Sequence, residues 1–267
     1  MINVPKQFRP HINTDYPKNN KLIFEEWFAQ QPLPKTEREY LPIFWTSFYV
    51  CNNYGNNKKA LYDLQAYIDT LDKTKKYATI IQYDDSILND VSGLDLLRFE
   101  MSKTTGYSLP LLCMPHPYKY DLKREIFANF IGSMTHPIRN HANGMPSDCY
   151  VSFKPHTIEK FTEILSRSIF TLCFRGYGAN SFRIAEAVQY GSIPVYISDE
   201  FVFGHHMNFE DFGVVIKSED AHRINEILRA IPLIDIVTKQ DNLAKAYEKY
   251  FTYQSNYELI LKALDET

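Results

Sequence analysis

The stretch RGYGANSFRIAEAVQYGSIPVYISD, Arg175 to Asp199, constrains the fold more than any other part of the chain. The apolar run IFTLCF before it reads as a strand, Ser181 as the cap of a helix running to about Tyr190, and IPVYIS as a second strand. Strand, loop, helix and strand in that order form the repeating unit of an α/β layer, whose helix carries the chain across to the next parallel strand. Gly176 and Gly178 permit positive φ and let a ligand approach the backbone closely. Bare N–H groups of the turn from Gly178 to Phe182, Asn180 and Ser181 among them, and the positive end of a helix dipole would face that loop, a setting suited to phosphate.

The rest of the chain alternates in the same manner. Residues up to about Lys21 read as an irregular arm, KLIFEEWFAQQ as a short helix and YLPIFWTSFYV as a buried strand region. NNKKALYDLQAYIDTLDKT places Leu61, Leu64, Ile68 and Leu71 on one helical face. KYATIIQY is a strand ending on Asp84 and Asp85, and after a mixed segment SLPLLCMPH is expected as another. A second series follows, with strands in EIFANFIGS, CYVSF and FGVVI, a helix in TIEKFTEILSRS, and helical stretches from Ser218 to the end. The expected boundary lies near Asp121 to Arg124, giving domains of residues 1–123 and 124–267, with the last helices able to pack back on the first. A ligand would bind between them, outside the carboxyl ends of parallel strands.

Composition narrows the function classes. The formal net charge is −3 and the 29 basic residues are scattered, so no nucleic-acid footprint is present. The 19 tyrosines and 18 phenylalanines suit either a sugar-facing cleft or a tyrosine-heavy core. Cys51, Cys113, Cys149 and Cys173 form no C-x-x-C pair and read as buried free thiols of a reducing compartment. The N-terminus has no apolar signal-like region, and no run of 18 apolar residues occurs. The expectation is a soluble, cytoplasmic chain without a transmembrane segment.

Two readings of the loop compete. GYGANS approaches the dinucleotide pattern G-x-G-x-x-G, with Asp199 at the end of the next strand roughly 20 residues on, which would make the chain an NAD-binding oxidoreductase. Against this, the third glycine is Ser181, the unit sits late in the chain, and the helix carries Arg183 and Glu186 in its first two turns. In the other reading Arg183 pairs with phosphate oxygens. Glu186, one turn on, then needs donors to offset its burial, and two ribose hydroxyls would supply them. A salt bridge from either residue to a neighbouring element is the structural alternative.

The string SRSIFTLCFRGYGANSFRIAEAVQYGSIPVYISDEFVF resembles the exostosin-like glycosyltransferases, glycosyltransferase family 47. The shared elements are Ser181, Arg183, Glu186, Ala187, Gly191, Ile193, Pro194, Val195, Ser198 and Asp199. FIGSMTHPIR, Phe130 to Arg139, resembles the family's glycine-then-arginine element. The likeness covers residues 126 to 230, with weaker traces in LPIFWTS and ATIIQYDD.

The resemblance implies a GT-B architecture: two Rossmann-like domains with a cleft between them, the donor nucleotide held by the second. It implies inverting transfer from a UDP-sugar to a glycan acceptor hydroxyl, with no cofactor beyond that donor and no metal held by an Asp-x-Asp motif. A catalytically inactive nucleotide-sugar-binding protein remains open. Leaving-group charge is assigned to Arg139, Arg175, Arg183 and the turn's N–H groups, with Phe182 beside them, and the ribose to Glu186. Asp199 and His136 are candidates for the donor sugar, although Asp199 could instead cap the turn before Phe201. Asp85 or Asp84 is the candidate general base, with His116 and His136 as alternatives. Trp45, Phe48 and Tyr49 are candidates for an acceptor platform or for core packing.

Overall fold

The computed structural model describes residues 2–12, 22–103, 105–200, 203 and 207–267. Residues 13–21 of the expected N-terminal arm and the turn expected at Phe201 lie outside the described residues. The chain forms two compact units, Met1–Met114 with Tyr253–Thr267, and Pro115–Thr252. Each has its own all-parallel α/β sheet, as two Rossmann-like domains require.

In the first unit, α1 (Phe24–Phe28), β1 (Arg38–Tyr40), α2 (Trp45–Cys51), α3 (Lys58–Asp69), β2 (Lys76–Ile81), β3 (Asp95–Glu100) and β4 (Tyr107–Ser108) follow in sequence. The sheet order is β1-β2-β3-β4. The central strand β2 is buried from Tyr77 to Ile81 on both faces, as a strand inside a parallel sheet must be. Asn57 caps α3 by accepting from the Ala60 N–H, and Leu64 and Ile68 face the core. Val4 and Phe8 join that core with Trp45, Phe48 and Tyr49, so the start of the expected arm is packed.

Three expectations fail here. The region 45–51 is helical rather than extended, because the Glu25 carboxylate accepts the Thr46 N–H at 3.0 Å and so caps α2 from a distant element. In SLPLLCMPH a single residue, Ser108, lies in the sheet; Pro110 has no N–H to offer a ladder, and the following buried residues run without strand pairing. The mixed segment contains β3, paired with β2 along its whole length.

The second unit contains β5 (Ile126–Ile131), β6 (Tyr150–Ser152), α4 (Ile158–Arg167), β7 (Ser168–Phe174), α5 (Phe182–Gln189), β8 (Ile193–Ile197), β9 (Val214–Ile216), α6 (Ile224–Arg229) and α7 (Leu233–Ala246). Its order is β6-β5-β7-β8-β9. The chain steps from β5 to β6 on one side and then returns to place β7 on the other, so the direction of winding reverses between β5 and β7. Loops leaving the carboxyl ends of such a strand pair diverge and open a crevice.

The division between units falls at Met114–Pro115, not at 123–124. Residues 116–124 are tied into the second unit: the Tyr118 carbonyl accepts from Tyr190 Oη at 2.9 Å, and Tyr120 Oη donates to the Glu159 carbonyl at 3.0 Å. Arg124 donates to the carbonyls of Ser168 and Tyr190 at 2.7 and 2.8 Å. At the other end, the terminal helix Tyr253–Asp265 belongs to the first unit, with Tyr253 Oη donating to the Leu22 carbonyl at 3.0 Å. Among the described residues no helix is long and apolar enough to cross a membrane. Cys113 and Cys173 are buried, but Cys51 is exposed and Cys149 half-buried, which corrects the expectation of four buried thiols.

Candidate functional site: an arginine-lined crevice at the strand-order reversal

Beyond β7 the ladder continues for one bond, from the Arg175 N–H to the Ile197 carbonyl at 3.2 Å, before the loop turns away. The Gly176 N–H then closes on the Gly178 carbonyl at 3.1 Å, and Tyr177 stands 80% exposed at the tip. Positive φ among the described glycines occurs at Gly55 and Gly191, not at Gly176 or Gly178. Gly176 leaves room for the guanidinium instead: a Cβ there would sit 3.1 Å from Arg139 Nη2, a tight contact. Ser181 caps α5 as expected, its Oγ accepting the Arg183 N–H at 3.3 Å, while Asn180 Oδ1 accepts the Ser181 N–H at 2.7 Å. The Ser181 N–H, expected to face a ligand, is thus bonded within the protein.

Three arginines gather around this loop. Arg139, on the 3₁₀ helix Pro137–Gly144 after β5, donates from Nε to the Arg175 carbonyl at 3.0 Å and from Nη1 to the Ser133 carbonyl at 2.7 Å. It therefore bridges the loops leaving β5 and β7. Arg175 reaches Glu200 at 3.8 Å, and its Nε is buried with no hydrogen-bond partner. Thr135 Oγ1, near the position a Gly176 Cβ would take, is also buried and unpartnered. Arg183 donates from Nη2 to the Ile131 carbonyl at the end of β5 at 2.8 Å, with its guanidinium 4.2 Å above the Phe161 ring.

Glu186 lies on the inner face of α5 with no exposed surface. Arg183 Nη1 donates to its Oε2 at 2.8 Å, and His116 Nε2 lies 3.1 Å from its Oε1. Burial pushes the carboxyl pKa upward, but the Arg183 charge and the bonds from His116 and Arg183 outweigh it and hold the group below the usual carboxylate range. The donors expected from a ribose are supplied here by the protein. Each carboxylate oxygen has one protein partner and retains a second lone pair.

Two other expected residues have local tasks. Asp199 Oδ1 accepts the Ser218 N–H at 2.9 Å and so caps the turn Ser218–Arg223; the Ser218 hydroxyl first, then its N–H and the Arg175 and Lys217 charges, lower its pKa. His136 Nδ1 accepts the Ile138 N–H at 3.3 Å. Desolvation and the neighbouring Arg175 and Arg139 cations push its pKa down, with Asp199 opposing, so the ring is neutral at pH 7.

The remaining candidates belong to the first unit. Asp84 and Asp85 stand in the turn after β2, Asp84 accepting from Ser102 Oγ at 3.4 Å and Asp85 exposed. Trp45 and Tyr49 have no exposed surface and Phe48 has 2%. Trp45 Nε1 donates to Thr79 Oγ1 at 2.8 Å, so these three rings are core and offer no acceptor platform. Sequence reasoning missed the His116–Glu186 contact, the Phe161 platform and the buried pair Glu25 and Glu26. No group of three or more His, Cys, Asp or Glu side chains able to hold a metal ion occurs among the described residues.

Comparison with known proteins bears on this same region. Residues 102–231 match the Exostosin GT47 domain. A protein of Oryza sativa subsp. japonica named "Probable glucuronosyltransferase" is 31% identical over 153 residues, 52% of this chain and 35% of its own length. A "Probable beta-1,4-xylosyltransferase" of Arabidopsis thaliana is 30% identical over 154 residues, 52% of this chain and 37% of its own length. The chain thus spans little more than a third of the length of these curated relatives. Among solved structures, TarM superposes with a TM-score of 0.44 at 10% identity, covering 77% of this chain and 53% of that one.

Proposed function

We propose that the chain is an exostosin-like glycosyltransferase of family 47, as its match over residues 102–231 and its relatives support, and that it moves a sugar from a UDP-sugar to a hydroxyl of a glycan acceptor, with inversion at the anomeric carbon. One observation carries this reading: Arg139, Arg175 and Arg183 converge with the N-terminus of α5 where the strand order reverses, and Arg175 Nε and Thr135 Oγ1 are buried there without partners. Unmet buried donors beside fixed cations suit the oxygens of a diphosphate.

The transfer is a single displacement. The acceptor oxygen attacks the anomeric carbon, the bond from that carbon to the β-phosphate oxygen breaks, and UDP leaves with the electron pair. The arginines and the loop's backbone stabilise the charge that develops on the leaving diphosphate. Asp85 takes the acceptor proton, with Asp84 as second candidate. Xylose and galactose are the proposed donor sugars, and glucuronic acid enters through the names of the rice relatives.

Calorimetric titration of UDP and, separately, NAD into the wild-type protein in EDTA tests the donor site, followed by Arg175→Ala and Arg139→Ala. The expected result is UDP binding that survives the chelator and weakens at least about tenfold in each variant, the effect of losing a charge-assisted bond. NAD binding in place of UDP would return the loop to the dinucleotide reading. UDP binding without turnover of UDP-xylose, UDP-galactose or UDP-glucuronate across glycan acceptors would leave a nucleotide-sugar-binding protein.

A further inference from the structure

We infer that His116 is a positioning residue, which fixes the Glu186 carboxylate and through it the Arg183 guanidinium at the donor-phosphate crevice. The inference rests on the donor-site reading above and extends it to a residue 70 positions away from Glu186 in sequence.

The geometry is a relay of three side chains. His116 Nε2 lies 3.1 Å from Glu186 Oε1, and Glu186 Oε2 accepts from Arg183 Nη1 at 2.8 Å. Arg183 and Glu186 share a face of α5 because they are three residues apart. A glutamate that kept Arg183 as its only anchor would still be able to turn about its last torsion, which is a broad one. With Oε1 held by His116, Oε2 is left directed at the guanidinium. The imidazole and the guanidinium also share a wall: the Phe161 ring meets His116 edge-on at 6.0 Å and lies 4.2 Å below Arg183.

His116 Nδ1 decides between positioning and packing. The side chain is 97% buried, with Tyr190 as a second ring neighbour at 6.3 Å, and Nδ1 has no hydrogen-bond partner. An imidazole with one nitrogen unmet inside aromatic walls is costlier as filling than an apolar side chain of similar size. Its gain lies at the other nitrogen, which faces a carboxylate and therefore carries the proton.

Three variants separate the roles. Gln presents an amide N–H at a reach close to that of Nε2, Asn presents one closer to Nδ1, and Leu fills the space without a donor. UDP titration is expected to show binding weakened at least tenfold in His116→Leu and His116→Asn, and within threefold of wild type in His116→Gln. Wild-type affinity in His116→Leu, or no recovery in a folded His116→Gln, would overturn the inference. Long-range ¹⁵N–¹H NMR of the wild type is expected to show a proton on Nε2; a ring protonated on Nδ1 and bare at Nε2 would also overturn it. If wild-type protein does not bind UDP, the donor-site reading fails by itself. The hold of His116 on Glu186 is then decided by a double-mutant cycle of His116→Leu and Glu186→Gln in urea unfolding. Coupling of fivefold or more in the unfolding constant supports it, and additive effects defeat it.

Discussion

Glu25 in the first unit and Glu186 in the second are both glutamates with no exposed surface, yet their carboxyl groups shift in opposite directions. Glu25 accepts from the Thr46 N–H and Oγ1 and from the Gln82 N–H at 3.0, 2.5 and 2.6 Å, and burial still pushes its pKa up to about 7, with Glu26 adding to the rise. Glu186 has fewer partners, but one of them is the Arg183 guanidinium, and its pKa falls. Three neutral donors do not offset the loss of water around a carboxylate; one cation with a second donor does. The first unit therefore uses its buried carboxyl as a cap on α2 that changes charge near neutrality. The second keeps a permanent ion pair beside the crevice.

The largest expected effect comes from removing the cation. Arg183→Leu leaves Glu186 buried with His116 as its one partner among those described, and loss of one member of a buried pair costs about 3–5 kcal/mol. Urea unfolding followed by far-UV circular dichroism should show it, and Arg183→Leu with Glu186→Leu should recover much of the loss, since two apolar groups leave no charge stranded. A double variant as unstable as the single would show that the pair itself, rather than the stranded carboxylate, holds the helix.

The pH profiles of the two glutamates should run in opposite senses. Glu25 binds its proton more tightly when folded, so its contribution is fully present below the ordinary value of 4.5 and is lost as pH rises through about 7. That interval corresponds to a loss of about 3 kcal/mol, at roughly 1.4 kcal/mol per pH unit. Glu186 binds its proton less tightly when folded, so its contribution is present above 4.5 and is lost on acidification through its lower folded pKa. Trp27 and Trp45, the chain's two tryptophans, both lie in the first unit, so their fluorescence in urea at pH 5 and pH 8.5 reports on Glu25. Glu25→Gln should flatten the slope; an unchanged slope would place the titration elsewhere.

How much was legible in the sequence follows from the range of the interactions involved. β7, α5 and β8 could be read directly because cap, periodicity and apolar runs all act within a few residues, as with Ser181 and the Arg183 N–H. Arg183 was likewise found from local pattern, whereas Arg139 and Arg175 came through the family resemblance. α2 was not, because its aromatic residues favour a strand and its cap, Glu25, stands 21 residues away from Thr46. β3 was hidden by Asp95, Arg98 and Glu100, which interrupt the apolar run; within the unit Glu100 is buried and accepts from Ser86 and Thr105. The unit boundary was misplaced for the same reason: His116, Tyr120 and Arg124 find their partners 39 to 70 residues further on.

The smallest expected effect tests the comparison at a single hydroxyl. Thr46→Val keeps the backbone donor and the shape of the side chain but removes the Oγ1–H that reaches Glu25 Oε1 at 2.5 Å. A hydrogen bond to a charged group contributes about 1.5–3 kcal/mol and one to a neutral group about 0.5–1.5 kcal/mol. The loss should therefore be near 2 kcal/mol at pH 8.5, where Glu25 is ionised, and near 1 kcal/mol at pH 5, where it is protonated. The fluorescence-detected urea midpoint should separate the variant from wild type more widely at the higher pH, and the titration of Glu25 should move upward because a bond to its charged form is gone. Equal losses at both pH values would mean that Glu25 keeps one protonation state across the interval. The contrast between a proton-exchanging carboxyl in the first unit and a fixed ion pair in the second would then fall.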